Sequence, residues 1–227
     1  MYKYLLLTLL LTAHQSSAQR LIMDILDPSG ANLGMRAGIN QASIEKDVFL
    51  TDWQDGYVVY GAKNEKRVIR YNTVTGDIHL KNTTGKEEIL PKGQVEYFAI
   101  ISGGTTYRFR WLKNIEEIDY TYAQIIYENK VRVYYHHHRK AKKASTDPNT
   151  THYGSSLNEE TIIRDDAYIL ILPSGKTMLT KAKKKDILRF FEDKKADLEL
   201  FIKKEKIETQ NLEGLMKVVQ KYEELSK

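Results

Sequence analysis

Cysteine is absent from this 227-residue sequence. Its absence excludes disulfides, thiol catalysis and attachment of a lipid through an N-terminal cysteine. The core must therefore provide the stability alone, and a chain of about 200 residues buries roughly 70% of its unfolded surface when it folds. Long apolar runs are also absent after residue 18, where nothing approaches the roughly 20 apolar residues that a membrane-spanning helix needs. We therefore expect no transmembrane segment in the mature chain.

The first 18 residues have the pattern of a cleavable secretory signal peptide. Lys3 supplies a positive charge, and Leu5 to Ala13 form a short apolar core. Ser16 and Ala18 then occupy the small-residue positions that signal peptidase reads before Gln19. An uncleaved membrane anchor is the alternative, but the apolar run has only about half the length that crossing a bilayer requires. We expect an exported protein, periplasmic or secreted, that carries no lipid anchor.

Charge is balanced over most of the chain, and the formal net charge is +5. From Ser174 onward, 14 Lys and Arg residues face 10 Asp and Glu residues, so the positive surplus of the mature chain lies in this last quarter. Such a surplus permits loose contact with anionic polymers or lipid headgroups but does not require it. No regular aromatic interleaving accompanies the basic runs, so we expect no nucleic-acid partner. No motif indicates a cofactor.

Hydrophobic periodicity changes along the chain. Thr105 to Leu112 alternates strictly, with Tyr107, Phe109 and Trp111 predicted to face the core. Val95 to Ile101 hardly alternates, which predicts a strand buried on both faces. After about residue 181 the period becomes 3.6, so the C-terminal residues are predicted to form short helices that pack on each other or on the sheet.

These patterns predict an α+β fold: a mainly antiparallel β-sheet or barrel-like body followed by a C-terminal segment of two or three helices. The predicted organisation is a signal peptide at 1–18, an irregular lead-in at 19–46, a β-rich domain at 47–180 with a mobile loop at 139–160, and a helical segment at 181–227. Within the domain, Val48 to Leu50 is expected to be the first strand.

Four short motifs carry a resemblance to a known group. They are Gly56-Tyr57-Val58-Val59, Tyr71-Asn72, Asp193-Lys194-Lys195 and the helical stretch Leu215 to Tyr222. With them the chain resembles a broad group of exported proteins of Bacteroidota that have a β-rich body and a Lys-rich helical C-terminus. The resemblance implies this architecture and export. It implies no activity and no site residue.

The run His136-His137-His138 is the most conspicuous candidate site. In a strand, His136 and His138 share a face, so their imidazoles could hold one divalent metal if a third ligand arrived. His152, in the following polar stretch, is the predicted third ligand. The alternative is an exposed strand end that runs into a basic loop, since no zinc motif and no carboxylate at a fixed spacing accompany the histidines.

Two basic runs are candidate contacts for an anionic partner such as a glycan or lipid headgroup. The predicted contact residues are Arg139, Lys140, Lys142 and Lys143 in the first run and Lys183, Lys184 and Lys185 in the second. The alternative is that the runs are a solvated loop and the polar flank of a helix.

Other catalytic patterns are excluded by their spacing or incomplete. Ser174-Gly175-Lys176-Thr177 mimics the end of a phosphate-binding loop, but Leu170 stands where that loop needs its first glycine. No Gly-x-Ser-x-Gly turn exists. Adjacent carboxylates such as Asp165-Asp166 point to opposite faces of a strand, so each pair alone assembles no site.

The sequence therefore favours a non-enzymatic envelope protein that binds a partner or supports an assembly, the partner being an envelope glycan or protein. Two alternatives remain open. One is a hydrolase of envelope polysaccharide or peptide, with a site that only the fold assembles. The other is a peripheral protein that binds anionic membrane or glycan.

Overall fold

The computed structural model describes residues 48–61, 63–115, 117–143 and 160–227. In these residues, strands precede helices along the chain. The strands are β1 (Gln54–Tyr60), β2 (Lys63–Tyr71), β3 (Ile78–Lys81), β4 (Glu87–Leu90), β5 (Tyr97–Ser102), β6 (Thr105–Ile115), β7 (Ile118–Glu128), β8 (Arg132–His136), β9 (Arg139–Lys143), β10 (Glu160–Arg164), β11 (Ala167–Ile171) and β12 (Thr177–Thr180). The helices are α1 (Lys184–Phe190), α2 (Lys195–Lys204) and α3 (Leu212–Leu225), and a 3-10 turn, Glu192–Lys194, separates the first two.

Ten of the strands form one sheet in the order β12-β11-β8-β7-β6-β5-β1-β2-β3-β4. Every pair in it is antiparallel. The remaining strands, β9 and β10, pair with each other separately. The α+β prediction is confirmed, with a large antiparallel sheet followed by three helices; the sheet is open and does not close into a barrel.

The burial of side chains in the central strands β5 and β6 follows the pattern that the sequence predicts. Phe109 is fully buried while its neighbour Arg108 is exposed. In β5, the consecutive residues Phe98, Ala99 and Ile100 are all buried, so both faces of this strand are covered, as its lack of alternation predicts. Phe98 and Phe109 lie directly opposite each other, and their rings stack at 4.6 Å. Such a cross-strand aromatic pair fixes the register of β5 on β6.

The three helices cover one face of the sheet at its β12 end. Val133, Leu170 and Met178, from three neighbouring strands, form one buried cluster with apolar residues of the helices. On the opposite face of the same strands, Tyr134 and Ile169 belong to a second cluster. The β12 end of the sheet is therefore buried on both faces, and burial of the apolar helix faces there stabilises helices too short to persist alone.

The sheet curls at its other end. Tyr71 of β2 contacts Phe109 of β6 with ring centroids 5.6 Å apart, although two strands separate β2 and β6 in the sheet order. Tyr122 of β7 joins this aromatic cluster, and its hydroxyl donates to the carbonyl of Val95 at 2.7 Å. This curvature brings the turn after β2 towards β7 and β8, which positions the pocket described below.

Several predictions from the sequence differ from the structure or concern residues that the structure does not describe. Val48 to Leu50 forms no strand, because only Phe49 makes a single bridge, to Asn72. The loop predicted at 139–160 begins with a strand, since Arg139–Lys143 pairs with Glu160–Arg164. The predicted signal peptide and lead-in, and residues 144–159, lie outside the described residues. No helix in the described ranges is long and apolar enough to cross a membrane.

Candidate binding pocket

A pocket of about 300 Å³ lies where three connecting segments meet the end of β8. These segments are the turn between β2 and β3, the loop before β5 and the turn between β6 and β7. The polar lining comes mostly from uncharged or internally paired groups, namely Thr73, Thr75, Thr121, His136, His138 and Asp165. A volume of this size accepts a small ligand rather than a macromolecule.

The turn between β2 and β3 forms one wall. The side-chain oxygen of Asn72 accepts hydrogen bonds from the backbone N–H groups of Val74 at 2.9 Å and Thr75 at 3.0 Å. Gly76 closes the turn with a φ of +78°, a conformation that glycine adopts without strain. Asparagine and glycine at these positions explain why the Tyr71-Asn72 motif ends a strand here.

His136 and His138 share a face and line the pocket, as their spacing predicts. Their rings stack with centroids 5.2 Å apart and an interplanar angle of 18°. His137 points to the other face, where its Nε2 is 2.7 Å from Oε1 of Gln124. His136 is only 7% exposed, yet no hydrogen bond from a described residue reaches the imidazole of His136 or His138. His137 is thus hydrogen-bonded within the protein, whereas His136 and His138 face the pocket.

Burial sets the protonation of this pair. Desolvation, reinforced by the neighbouring His138, lowers the pKa of His136 to about 4. Desolvation also lowers the pKa of His138. At neutral pH both rings are therefore uncharged, and each offers one N–H donor and one nitrogen acceptor.

The predicted metal site is not assembled by the described residues. Among them, no group of three His, Cys, Asp or Glu side chains could hold a metal ion, and His152 lies outside the described ranges. Two nitrogens bound to one tetrahedral zinc are about 3.4 Å apart, so the nearly parallel rings of His136 and His138 would have to tilt towards each other. Metal binding at these histidines stays a prediction.

Asp165 joins Lys140 of the first basic run to Lys181, the residue after β12, beside the histidines. Its carboxylate accepts from Nζ of Lys140 at 2.7 Å and from Nζ of Lys181 at 3.0 Å. Its backbone N–H donates to the carbonyl of His138 at 2.8 Å. The two ammonium groups lower the pKa of Asp165 to about 2, chiefly through these hydrogen bonds. At neutral pH this carboxylate is ionised, and both of its oxygens are engaged by lysines.

Arg139, a predicted anion contact, instead binds the protein. Its guanidinium donates to the carbonyl of Phe49 at 3.0 Å and to Oγ1 of Thr73 at 3.2 Å. Its backbone N–H also donates to the carbonyl of Thr73 at 3.2 Å. Arg139 therefore anchors the turn between β2 and β3 to the start of β9.

Lys183, Lys184 and Lys185 do not line the pocket. Lys184 pairs with a glutamate of α2 at 3.5 Å. Lys183 and Lys185 are exposed and form no ion pair with any residue that the structure describes. Lys142 and Lys143 lie in β9, and the placement of their side chains is not described. Contact of these residues with an anionic partner stays a prediction.

The pocket also includes Lys92 and Tyr120, which the sequence did not single out, and Glu117, which in the sequence is only one of a pair of adjacent carboxylates that alone assembles no site. Lys92 and Glu117 line it, and Tyr120 lies beside them with 47% of its surface exposed. The ring of Tyr120 contacts Trp111 at 5.3 Å between centroids. Lys92 lies in the loop before β5, Glu117 in the turn between β6 and β7, and Tyr120 near the start of β7. No sequence spacing therefore relates these residues to the histidines.

Comparison of the chain with known protein families, with curated proteins and with solved structures finds no match. Function must therefore be inferred from the chemistry of the pocket.

Proposed function

We propose that the protein is an exported, non-catalytic binding protein of the cell envelope, and that it holds a small polar ligand of envelope origin in the pocket beside His136. The supporting observation is the state of His136, which is 7% exposed, lines the pocket and receives no hydrogen bond from a described residue. A ligand that enters the pocket can therefore hydrogen-bond an imidazole that no described residue engages.

Binding is favoured over hydrolysis because two lysines keep one of the pocket carboxylates, Asp165, ionised. Two carboxylates, Glu117 and Asp165, line the same pocket. A glycosidase of the common two-carboxylate type needs one carboxylate protonated as general acid. Asp165 cannot provide that proton near neutral pH, because its pKa is about 2 and lysines engage both oxygens.

Export is proposed from the amino-terminal pattern. Lys3, the apolar core from Leu5 to Ala13, and Ala18 before Gln19 form the arrangement that signal peptidase recognises. N-terminal sequencing of the native protein tests this directly. We expect Gln19 as the first residue, and an intact Met1 on a cytoplasmic species would remove the envelope from the proposal.

The binding function is tested with the purified mature protein and low-mass fractions released from bacterial envelopes by enzymatic digestion. We expect one fraction to raise the melting temperature by about 5 °C at saturating ligand. His138→Phe keeps a stacked ring but removes both nitrogens, so the shift should vanish in this variant. Tyr57→Phe, which alters a tyrosine outside the pocket, should retain the full shift. No shift with any fraction, or an equal shift in the His138 variant, would contradict the proposal.

A further inference from the structure

Two charges of opposite sign line the pocket without an ion-pair partner among the described residues. Neither the ammonium of Lys92 nor the carboxylate of Glu117 forms an ion pair with any residue in the described ranges. The nearby charge of Asp165 is different, because Lys140 and Lys181 already engage it. His136 is uncharged at neutral pH. Lys92 and Glu117 are therefore lining charges that no described residue neutralises, and both are available to a ligand.

Lys92 is held in position from two sides. Its stem lies against the turn between β2 and β3, where a Cβ on Gly76 would be 3.8 Å from its Cδ atom. Its Nζ lies 4.9 Å from the centre of the Tyr120 ring, a cation–π contact that restrains the ammonium beside the pocket. Its backbone N–H donates to Oδ1 of Asp77 at 3.2 Å. A lysine fixed in this way recognises an anionic group with less loss of side-chain entropy than a free one.

Glu117 occupies the turn between β6 and β7 with a φ of +71°. This left-handed conformation is strained for a residue with a Cβ, and glycine would adopt it without strain. The turn therefore keeps a carboxylate at the pocket wall in spite of its backbone conformation. Ile118, the next residue, pairs with Ile115 across the turn and fixes where Glu117 emerges.

We propose that the ligand is a small zwitterion, namely a free amino acid or a short peptide with a free ammonium and a free carboxylate. Its carboxylate pairs with Lys92 and its ammonium with Glu117, while His136 and His138 hydrogen-bond the polar groups between them. A purely anionic ligand would be repelled by Glu117, and a purely cationic one by Lys92. This inference rests on the proposed function and names the ligand class of the same pocket.

The volume of the pocket agrees with this class. At about 300 Å³ it lies at the lower end of the range for small-molecule sites, which suits an amino acid or a dipeptide. The uncharged imidazoles of His136 and His138 can both donate and accept hydrogen bonds, as a peptide group requires.

The test uses the mature protein and a panel of amino acids of both hands with a set of dipeptides, screened by melting temperature and then by calorimetry. Each compound that binds is compared with its N-acetylated form and its carboxamide. We expect each modification to weaken binding by about tenfold or more, because each removes one charge-assisted pair.

Two variants test which pocket side chain pairs with which charged group of the ligand. In Lys92→Met the carboxamide should bind as well as the free acid, whereas acetylation should still weaken binding. In Glu117→Gln the acetylated form should bind as well as the free amine, whereas the carboxamide should still bind weakly. Lys113→Met and Glu96→Gln, exposed residues outside the pocket lining, are the matched controls and should discriminate as the parent chain does.

The outcomes separate this inference from the proposed function. Suppose that an uncharged ligand binds, that His138→Phe abolishes its binding, and that Lys92→Met and Glu117→Gln leave its affinity unchanged. The proposed binding function then stands, but the proposal of a zwitterionic ligand is wrong. If neither the panel nor any envelope fraction binds, both are wrong. Equal affinity for the free, acetylated and amidated forms also overturns the inference.

Discussion

The carboxylate of Glu223, in α3, accepts a hydrogen bond of 2.7 Å from the backbone N–H of Val131, the residue before β8. The same carboxylate accepts from the hydroxyl of Tyr127 at 2.7 Å and from the side-chain amide of Asn129 at 3.1 Å. Glu223 is 7% exposed. One buried side chain of the last helix thus satisfies the polar groups of the hairpin between β7 and β8 and fastens the helical segment to the sheet.

Glu223→Ala is expected to lower the free energy of unfolding by about 3 kcal/mol, because it leaves a buried backbone N–H without a partner. Tyr127→Phe removes only one of the three hydrogen bonds and should lower it by about 1 kcal/mol. Urea denaturation measures both. A loss below about 1 kcal/mol in Glu223→Ala would mean that water replaces the carboxylate at Val131.

Hydrophobic periodicity predicts the third helix but not the hydrogen bonds by which Glu223 attaches it to the sheet. The 3.6-residue spacing of Leu212, Leu215 and Val219 correctly predicts the third helix. Leu215 and Val219 are fully buried as this spacing indicates, but Leu212 is 40% exposed. The sequence gives no means to place Glu223 opposite Val131, because a carboxylate on a helix is normally solvated. Only the docked geometry turns this glutamate into a buried acceptor.

Acid is expected to destabilise the protein through its histidines. Desolvation lowers the pKa values of His136 and His137 to about 4, against about 6.5 in an unfolded chain. Between these values the unfolded state binds more protons, so this contribution is complete above pH 6.5 and is lost as the pH falls towards 4. The expected loss is on the order of 2 kcal/mol for each histidine between pH 7.5 and pH 5.

Urea denaturation at a series of pH values, in the presence of a chelator, measures this loss. His137→Gln should flatten the pH dependence by about 2 kcal/mol over the same interval, since one titrating group is removed. Lys113→Met, which changes no histidine, should leave it unchanged. Equal unfolding free energies at pH 7.5 and pH 5 would show that the imidazoles are not desolvated as the fold indicates.

Gly214→Ala is expected to destabilise the protein although it replaces glycine within a helix. In an isolated helix this change is favourable by about 1 kcal/mol. Here a Cβ would overlap the carbonyl oxygen of Glu208 and would lie 3.1 Å from Cγ2 of Ile207, so the chain leading into α3 must shift. We expect a net loss of about 1–3 kcal/mol.

The control for this substitution is Gln220→Ala at an exposed position of α3. It should change the free energy of unfolding by no more than about 0.5 kcal/mol. A Gly214→Ala variant that is as stable as the parent chain would show that the segment before α3 adjusts without loss.

The pocket could be predicted from the sequence only in part. The spacing of His136 and His138 places both on one face, and the structure confirms that they share the pocket. Lys92 and Glu117 could not be predicted, because they lie in turns that adjoin β8 only through the order of the strands and the curl of the sheet. Local spacing fixes which side chains share a strand face, whereas contacts between distant turns depend on strand order.

Asp165→Asn is expected to lower the stability of the fold by removing the ion pairs that join β9 to the residue after β12. Without the charge, the ammonium groups of Lys140 and Lys181 repel each other and no longer fix β9 and the residue after β12. Because Asp165 is about one-third exposed, solvent screening limits the loss of unfolding free energy to about 1 kcal/mol. Asp186→Asn, which breaks the exposed pair with Arg189 at 3.5 Å, is the matched control and should have little effect.

Salt and pH identify the cause of that loss. The difference between Asp165→Asn and the parent chain should shrink in about 1 M salt, where charges are screened within about 3 Å. The pKa of Asp165 lies near 2 in the folded protein and near 3.9 when unfolded. Its contribution is therefore complete above pH 3.9 and is lost as the pH falls towards 2, so the two proteins should converge in stability over that interval. A difference that persists at pH 2 and in high salt would assign the effect to packing of the asparagine instead of to the ion pairs.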